Sequence, residues 1–244
     1  MGKNLIQQRR GRGTSVFRAP SHRYKGKVSH VAMKLDIPVM SGVIKDISHC
    51  PGHSSPLVEV SFNDSSERIL MIAPEGVRVG DVISAGEEAE VKVGNILPLK
   101  NVPIGTDIYN IESQPGDGGK FVRSSGASAK VMSKSKGKVF VMLPSKKQKE
   151  FHPGCRASIG VVAGGGRKEK PFYKAGRKYH AMKAKNKYYP KTSAQSMNAV
   201  DHPFGGSSSS NKGRPTTAPR FAPAGRKVGM ISPRRTGRKR RSRD

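Results

Sequence analysis

Residues 58–62 have the sequence VEVSF, with an apolar side chain at every second position. This alternation places Val58, Val60 and Phe62 on one face of an extended chain, as in a half-buried β-strand. A turn is predicted directly after it at Asn63-Asp64, and the apolar run ILMI at residues 69–72 reads as the next strand. The segment therefore predicts two short strands that contribute to one core.

The period of two continues on both sides of this pair. Further short strands are predicted at residues 43–47, 82–83, 91–93 and 108–111, and no segment shows a long helical period. Five or six short strands in about 75 residues suit an OB-like barrel. We assign this barrel to residues 38–115.

A second group of predicted strands lies at residues 121–122, 129–132, 139–143 and 159–162, separated by turn residues. Four or five strands in so short a stretch predict an SH3-like barrel. We assign it, with a basic extension, to residues 116–190. Within that extension, residues 173–187 are compatible with one short helix. The predicted fold class is all-β, an OB-like barrel followed by an SH3-like barrel, with long basic extended tails at both ends.

Charge is sorted along the chain, which carries a formal net charge of +29. Residues 1–30 hold eight bases and no acid, whereas residues 31–112 hold six bases and twelve acids. Residues 118–193 hold twenty bases and two acids. Residues 211–244 hold twelve bases and one acid. Basic segments of this kind suit a polyanion, and nucleic acid is the natural one because Lys and Arg displace its condensed counterions.

The two ends of the chain lack the apolar residues that a core requires. Residues 1–37 form a predicted basic arm, and residues 191–244 form a predicted tail rich in Gly, Pro and Arg, with a flexible linker at residues 207–210. We expect residues 1–25 and 207–244 to be disordered in the free protein and ordered on RNA. Phe17 and Tyr24, which lie among bases of the arm, favour stacking on RNA.

Composition also bounds the class of protein. Two cysteines do not make a secreted disulfide scaffold, so a reducing interior is the default. The first ten residues show no apolar signal-peptide region, and no apolar run approaches the roughly 20 residues of a membrane span. The tails show no amphipathic helical stripe for a membrane surface.

The chain resembles a known family, the universal large-subunit ribosomal protein two ("L-two") family in its archaeal and eukaryotic form. The resemblance covers nearly the whole chain, and motifs this long and in this order are highly specific. They are QQRRGRG at residues 7–13, FRAPSHR at 17–23, APEG at 73–76, GNILPL at 94–99, PGDGGK at 115–120, RASIGVVAGGGR at 156–167, MNAVDHPFGG at 197–206 and APAGRKVG at 222–229.

The resemblance implies a structural constituent of the large ribosomal subunit that is not an enzyme. It implies a primary rRNA-binding protein with tails threaded into large-subunit rRNA near the peptidyl-transferase centre, supporting subunit association and tRNA placement. Its partners would be large-subunit rRNA, neighbouring ribosomal proteins and the small subunit at an intersubunit contact, with no membrane and no small-molecule substrate. The expected location is cytoplasmic and ribosome-bound, with Mg²⁺ present through the bound rRNA.

The candidate RNA-binding residues are mainly bases in the arm, the junction between the barrels, the basic extension and the tail. Gly118-Gly119 allows close backbone approach to phosphate, and the family resemblance carries RNA contact over to Arg123. The alternative is a salt bridge at the barrel junction. The full set is Arg9, Arg10, Arg12, Arg18, His22, Arg23, Lys120, Arg123, Arg167, Lys174, Arg177, Lys178, His202, Arg226, Lys227, Arg234, Arg235 and Arg238.

His202 invites a second interpretation because Asp201 precedes it, as in an oriented general base. Adjacent side chains in a Gly-rich loop diverge, however, and no nucleophile motif or oxyanion-type site accompanies the pair. We therefore predict an RNA-backbone or structural role for His202 and no catalytic residue.

Cysteine and histidine flank two Pro-Gly turns in mirror-image order. Cys50 and His53 enclose the first turn, and His152 and Cys155 enclose the second. Both spacings can chelate Zn²⁺, and together the four residues would make a Cys₂His₂ site that clamps the two barrels. The family usually has other residues at Cys50, His53 and His152. The alternative is coincidence, with Cys155 a small core residue and the histidines on RNA.

Two other classes of function remain open from the sequence. Net charge alone would also suit a DNA-compacting protein, although compaction tails are more often rich in Lys and Ala than spaced by Gly and Pro. An enzyme that uses His202 is the third class.

Overall fold

A computed structural model describes residues 2–15, 17–32, 38–63, 68–135, 137–206 and 215–237. The chain divides into two compact units. The first, which we call the β unit, comprises Ser21–Tyr173. The second, which we call the tail unit, comprises Met1–Pro20 together with Lys174–Asp244. The predicted arm at residues 1–37 is therefore shared between the two units, with the division at Pro20.

Ten strands of the β unit form one continuous sheet in the order β3-β2-β1-β4-β5-β10-β6-β7-β8-β9. The strands are β1 (Val39–Ser48), β2 (Leu57–Phe62), β3 (Arg68–Ile72), β4 (Val82–Gly86), β5 (Ile96–Pro98), β6 (Asp107–Tyr109), β7 (Ala129–Ser135), β8 (Lys138–Met142), β9 (Gln148–Phe151) and β10 (Arg156–Ile159). The prediction of an OB-like barrel followed by an SH3-like barrel is confirmed.

The first barrel is organised by β1, which pairs antiparallel with β2 on one edge and with β4 on the other. A bulge between Ile44 and Asp46 shifts the register of β1 against β2. Gly42 lies where a Cβ would stand 2.8 Å from side-chain atoms of both Val60 and Phe62, so the strand can pack there only without a side chain. The buried side chains of this barrel, including Ile44, Val60 and Phe62, form one cluster.

The second barrel is closed by β10, which lies between β5 and β6 although it is last in sequence. The core of the second barrel includes Val131, Val141, Phe151 and Cys155. In β5, adjacent residues serve different cores, with Ile96 in the first and Leu97 in the second. This follows from the alternation of side chains along a strand, and it lets one strand belong to both barrels.

A third cluster joins the barrels, and it includes residues that we had assigned to the arm. Val28 packs with Cys50, Leu57, Ile72, Tyr109 and Val162, and Tyr24 lies partly buried against the same cluster. Residues 21–32 therefore belong structurally to the β unit rather than to a separate tail.

Three details of the strand prediction are corrected. The strand predicted at residues 159–162 lies at Arg156–Ile159 instead, and Val162 makes an isolated bridge to Pro74. Residues 91–93 form no strand, since Val91 and Val93 are exposed in a turn, and the strand lies at Ile96–Pro98 instead. Phe121 makes only an isolated bridge to Ile111. The sequence did not predict β9, because this strand has only four residues and three of them are polar and exposed.

The tail unit contains α1 (Ile6–Gly11), α2 (Ala175–Ala184) and a parallel pair of short strands, β11 (Thr217–Ala218) and β12 (Met230–Ile231). α2 confirms the helix predicted within residues 173–187. A small core of Leu5, Phe204 and Val228 joins three distant parts of the chain. Among the described residues, no helix has the length and apolar character to cross a membrane. The linker predicted at residues 207–210 lies outside the described residues.

Candidate nucleic-acid interface

Most of the predicted RNA-binding residues are exposed at the surface of their units. In the β unit these are His22, Arg23, Lys120 and Arg167. In the tail unit they are Arg9, Arg10, Arg12, Arg18, Lys174, Arg177, Lys178, Lys227, Arg234 and Arg235. Arg123, His202 and Arg226 are partly buried, and Arg238 lies outside the described residues.

The N-terminal segment of the tail unit presents a cluster of arginines around one aromatic ring. Leu5 is buried and anchors α1, whose last turn carries Arg9 and Arg10. Their guanidinium carbons lie 5.9 and 5.8 Å from the centroid of the Phe17 ring. Cations at this distance interact favourably with a ring face, so Phe17 draws the two charges together.

Helix α2 has no buried residue and no acidic residue, although it is ten residues long. A short helix gains most of its stability from packing an apolar face, and α2 packs little of its surface within the tail unit. Arg177 and Lys178 lie on it, and the ammonium of Lys178 stands 5.3 Å from the centroid of the Tyr189 ring. An uncovered basic helix of this kind is suited to a surface of phosphates.

Lys120 and Arg123 differ in what they can offer to RNA. Lys120 is exposed and pairs with Asp117 at 3.3 Å. Arg123 instead donates from Nη1 to the carbonyl oxygen of Gly119 at 3.0 Å and from Nη2 to that of Val28 at 3.2 Å. Burial lowers the pKa of Arg123 from its ordinary value. Arg123 therefore ties the 28–31 segment to the barrel junction, a role that the sequence did not indicate.

The junction also contains a buried ion pair that sequence analysis missed. Arg156 donates to Glu112 from its backbone N–H at 2.8 Å, from Nε at 3.1 Å and from Nη2 at 2.7 Å. Its Nη1 donates to the carbonyl oxygen of Val31 at 2.6 Å. Burial raises the pKa of Glu112, but the hydrogen bonds and charge of Arg156 outweigh it and leave the pKa below its usual value.

His30 lies beside this pair and is itself buried. Its Nε2 is 2.6 Å from the carbonyl oxygen of Asn110, which fixes the ring as the donor at that nitrogen. Burial, followed by the positive charge of Arg156, lowers the pKa of His30 to about 4. The imidazole is therefore neutral at neutral pH, and it belongs to the internal support of the surface rather than to an RNA contact.

His202 is held in a tight loop of the tail unit. Its Nδ1 accepts the backbone N–H of Phe204 at 3.1 Å, and the two rings lie 5.3 Å apart. Asp201 does not orient the imidazole, since its Oδ1 pairs with Lys3 at 3.1 Å. Burial lowers the pKa of His202 below its ordinary value. His202 therefore helps to order this loop through Nδ1, and its Nε2 can contact another group.

The four residues of the predicted zinc site are not brought together. Both Pro-Gly segments are tight turns, with the His53 N–H donating to the Cys50 carbonyl and the Cys155 N–H donating to the His152 carbonyl, each at 3.0 Å. Cys50 is buried in the cluster between the barrels, whereas Cys155 is buried in the core of the second barrel. Within the part of the chain that the structure describes, no three His, Cys, Asp or Glu side chains are grouped to hold a metal.

The two pairs are separated because each turn follows its own strand into a different core. His53 contacts its own neighbour, with Nδ1 3.2 Å from the Cys50 sulfur, and His152 Nδ1 accepts from the Gly154 N–H at 3.1 Å. Burial raises the pKa of the Cys155 thiol and so disfavours the thiolate that zinc requires. The donor set as arranged here does not fit a shared zinc ion, and Cys155 has the position of a core residue.

Comparisons with known proteins give one family model and a set of similar chains. Residues 92–223 match the family model described as Ribosomal Proteins L2, C-terminal domain. The chain is 53% identical over 238 residues to the large ribosomal subunit protein uL2 of Halorubrum lacusprofundi, covering 98% of each chain. It is 52% identical over 242 residues to the uL2 protein of Methanococcus maripaludis, covering 98% of this chain and 100% of the relative.

Proposed function

Since this chain belongs to the L2 (uL2) family of large-subunit ribosomal proteins, we propose that it is a primary rRNA-binding protein whose exposed basic surfaces organise rRNA around the peptidyl-transferase centre. It is a structural constituent of the large ribosomal subunit. The observation that carries the proposal is the concentration of exposed, mostly unneutralised bases on residues 2–15 and 174–191, a part of the chain with no acidic residue.

The proposal extends to partners and location. The protein would act ribosome-bound in the cytoplasm, contacting large-subunit rRNA, neighbouring ribosomal proteins and the small subunit at an intersubunit contact. Through these contacts it would support subunit association and tRNA placement. Mg²⁺ would be present through the bound rRNA, whose phosphates it neutralises together with the lysines and arginines.

The division of labour between the two units supports this proposal. In the β unit, Arg123 and Arg156 make hydrogen bonds within the protein at the barrel junction and so hold the fold. The tail unit has a small core of three buried side chains and a large number of exposed bases. A segment with so little core gains order from a polyanion that neutralises its charge.

No reaction is proposed for this protein. The Asp201 carboxylate is paired with Lys3, so the arrangement does not support the general-base pair considered for His202. In assembled particles, His202→Ala should leave single-turnover peptide-bond formation close to the wild-type rate and should affect assembly or tRNA placement. A large loss in the chemical step with intact particles would contradict this.

Sedimentation with RNA crosslinking tests the main proposal. In a sucrose gradient of cell extract, the protein should migrate with large subunits and crosslink to their rRNA. Its affinity for structured RNA should fall steeply with salt, with a log–log slope of several units if about six or more phosphates are neutralised. Equal affinity for duplex DNA at matched salt would favour the DNA-compacting alternative, and a flat salt dependence would refute phosphate binding.

A further inference from the structure

The tail unit contains a cleft that the function described so far does not use. Its volume is about 420 Å³, within the range of small-ligand sites of roughly 300–1,000 Å³. Four aromatic rings and two lysines form most of its lining. They are Phe17, Tyr179, Tyr188, Tyr189, Lys183 and Lys187, and we call this site the aromatic cleft.

Two distant segments of the chain build the aromatic cleft. Phe17 comes from the N-terminal segment, whereas Tyr179 and Lys183 lie on α2 and the remaining residues follow that helix. The side-chain amide of Asn186, which also lines the cleft, donates to the carbonyl oxygen of Arg18. This hydrogen bond ties the two segments together next to the rings, so the cleft is a product of the fold.

The rings of the aromatic cleft remain partly open to solvent. Tyr179 is 44% exposed, and Phe17, Tyr188 and Tyr189 are only partly buried. Aromatic rings carry large apolar faces whose burial is favourable. The four partly exposed rings around this opening therefore form a surface on which a flat ligand could stack.

The charge around the cleft selects the ligand. Lys183 and Lys187 are exposed at its wall, and Lys178 lies 5.3 Å from the Tyr189 ring centroid. No Asp or Glu occurs between residues 170 and 200. A ligand that suits this environment has a flat aromatic face and at least one phosphate.

We propose that the aromatic cleft binds one unpaired nucleotide of the large-subunit rRNA. Its base would stack on the tyrosine and phenylalanine rings, and its flanking phosphates would contact Lys183 and Lys187. Proteins recognise unpaired RNA nucleotides in this way. The nucleobase stacks on aromatic side chains, and lysines or arginines contact the phosphates of the RNA backbone. The inference rests on the proposed rRNA-binding function and assigns one site within it.

Ultraviolet crosslinking of the full chain bound to large-subunit rRNA tests the site directly. Irradiation at short wavelength followed by mass spectrometry should give nucleotide adducts on residues of the aromatic cleft. Adducts confined to other residues would overturn the proposal. So would occupation of the cleft by a peptide of a neighbouring protein in intact particles.

Affinity measurements separate stacking from charge. Tyr179→Ala should weaken binding of the full chain to rRNA by about tenfold, since stacking of one base contributes on that order. Tyr179→Phe, which keeps the ring, should bind within about twofold of wild type. Tyr179→Leu, which keeps a strong helix former on α2 but cannot stack, should behave like Tyr179→Ala.

Salt dependence gives an independent readout. Tyr179→Leu should lower the affinity at every salt concentration without changing the slope, whereas Lys183→Gln should reduce the log–log slope by about one unit. Tyr173→Ala serves as a matched control, because Tyr173 is 77% exposed and does not line the cleft. Wild-type affinity in both Tyr179→Ala and Tyr179→Leu would refute nucleotide binding at the aromatic cleft but leave the proposed rRNA-binding function standing. Failure of the wild-type chain to bind rRNA would refute the proposed function as well.

Discussion

Arg156 and Glu112 form a buried ion pair at the junction of the barrels, with Nη2 of the arginine 2.7 Å from Oε1 of the glutamate. The Glu112 side chain is fully buried, and that of Arg156 is 10% exposed. The carboxylate also accepts the N–H groups of Gly116 and Gly118, each at 3.2 Å. The pair therefore fixes the loop before Lys120 and, through the Val31 carbonyl, the segment that enters the first barrel.

Removal of one partner should be strongly destabilising. Arg156→Ala leaves the Glu112 carboxylate buried without its cation, and we expect the free energy of unfolding to fall by about 3–5 kcal/mol. Urea denaturation of the two proteins measures the difference. Lys138→Ala is the matched control, because Lys138 pairs with Glu150 at 2.7 Å on the exposed surface and should change stability by about 1 kcal/mol or less. Equal effects of the two substitutions would contradict the assignment.

Stability should fall as the pH is lowered below neutrality. The pKa of His30 is lowered to about 4 in the folded protein, against an ordinary value of 6.5, so the unfolded chain binds the proton first. Each step down from about pH 6.5 towards pH 4 therefore favours unfolding. His30→Gln keeps a donor for the Asn110 carbonyl and removes the titration, so its unfolding free energy should change less over this range.

Arg123→Ala should act mainly on stability. Arg123 donates to the carbonyl oxygens of Gly119 and Val28, and the loss of these hydrogen bonds should lower the unfolding free energy by about 2–3 kcal/mol. Urea denaturation and RNA affinity at several salt concentrations should be measured on the same variant. Unchanged stability, together with a loss of about 1–3 kcal/mol in RNA-binding free energy, would instead support the direct RNA contact predicted from the sequence.

Gly205 should be intolerant of a side chain. A Cβ at this position would collide with the carbonyl oxygens of Met197 and Asn198, so Gly205→Ala must displace the loop that holds His202. We expect fewer assembled particles in a sucrose gradient. Gly225→Ala is the matched control, because a Cβ there meets nothing within 4 Å. Normal assembly of both variants would show that the loop adjusts freely.

The zinc prediction can be decided by direct metal analysis. With Cys50 and Cys155 in separate cores, we expect no stoichiometric zinc in the purified protein and no shift of the thermal midpoint on addition of a chelator. One zinc per chain, lost together with stability in Cys50→Ser, would require both Pro-Gly turns to rearrange and would support the sequence-based site.

Much of the fold was predictable because its signals are local. The alternation in VEVSF at residues 58–62 fixes which side chains face a core, and the register of β2 against its neighbours agrees with it. The helix within residues 173–187 was likewise predictable from residues close together in the chain. The error at residues 91–93 shows the limit of such signals, since two valines two residues apart lie exposed in a turn.

The candidate site was predictable in composition but not in arrangement. The sequence located the lysines and arginines, and most of them are exposed. It did not indicate that Arg123 donates hydrogen bonds to backbone carbonyls within the protein. The partner Val28 is 95 residues away from Arg123, a separation at which no periodic pattern exists. The same holds for Phe17 and Tyr179, which line one cleft from opposite parts of the chain.

The sequence by itself determined the all-β class, the order of the two barrels, the sorted charge and, through long motifs, the family. These depend on side-chain alternation, composition and the order of residues, which need no knowledge of distant neighbours. Tertiary structure alone decided that β10 lies between β5 and β6, that Arg156 pairs with Glu112, and that the two cysteines occupy different cores. Such partners are chosen by the packing of whole strands, because a buried charge or thiol is placed by the strand that carries it and by the core that this strand must cover.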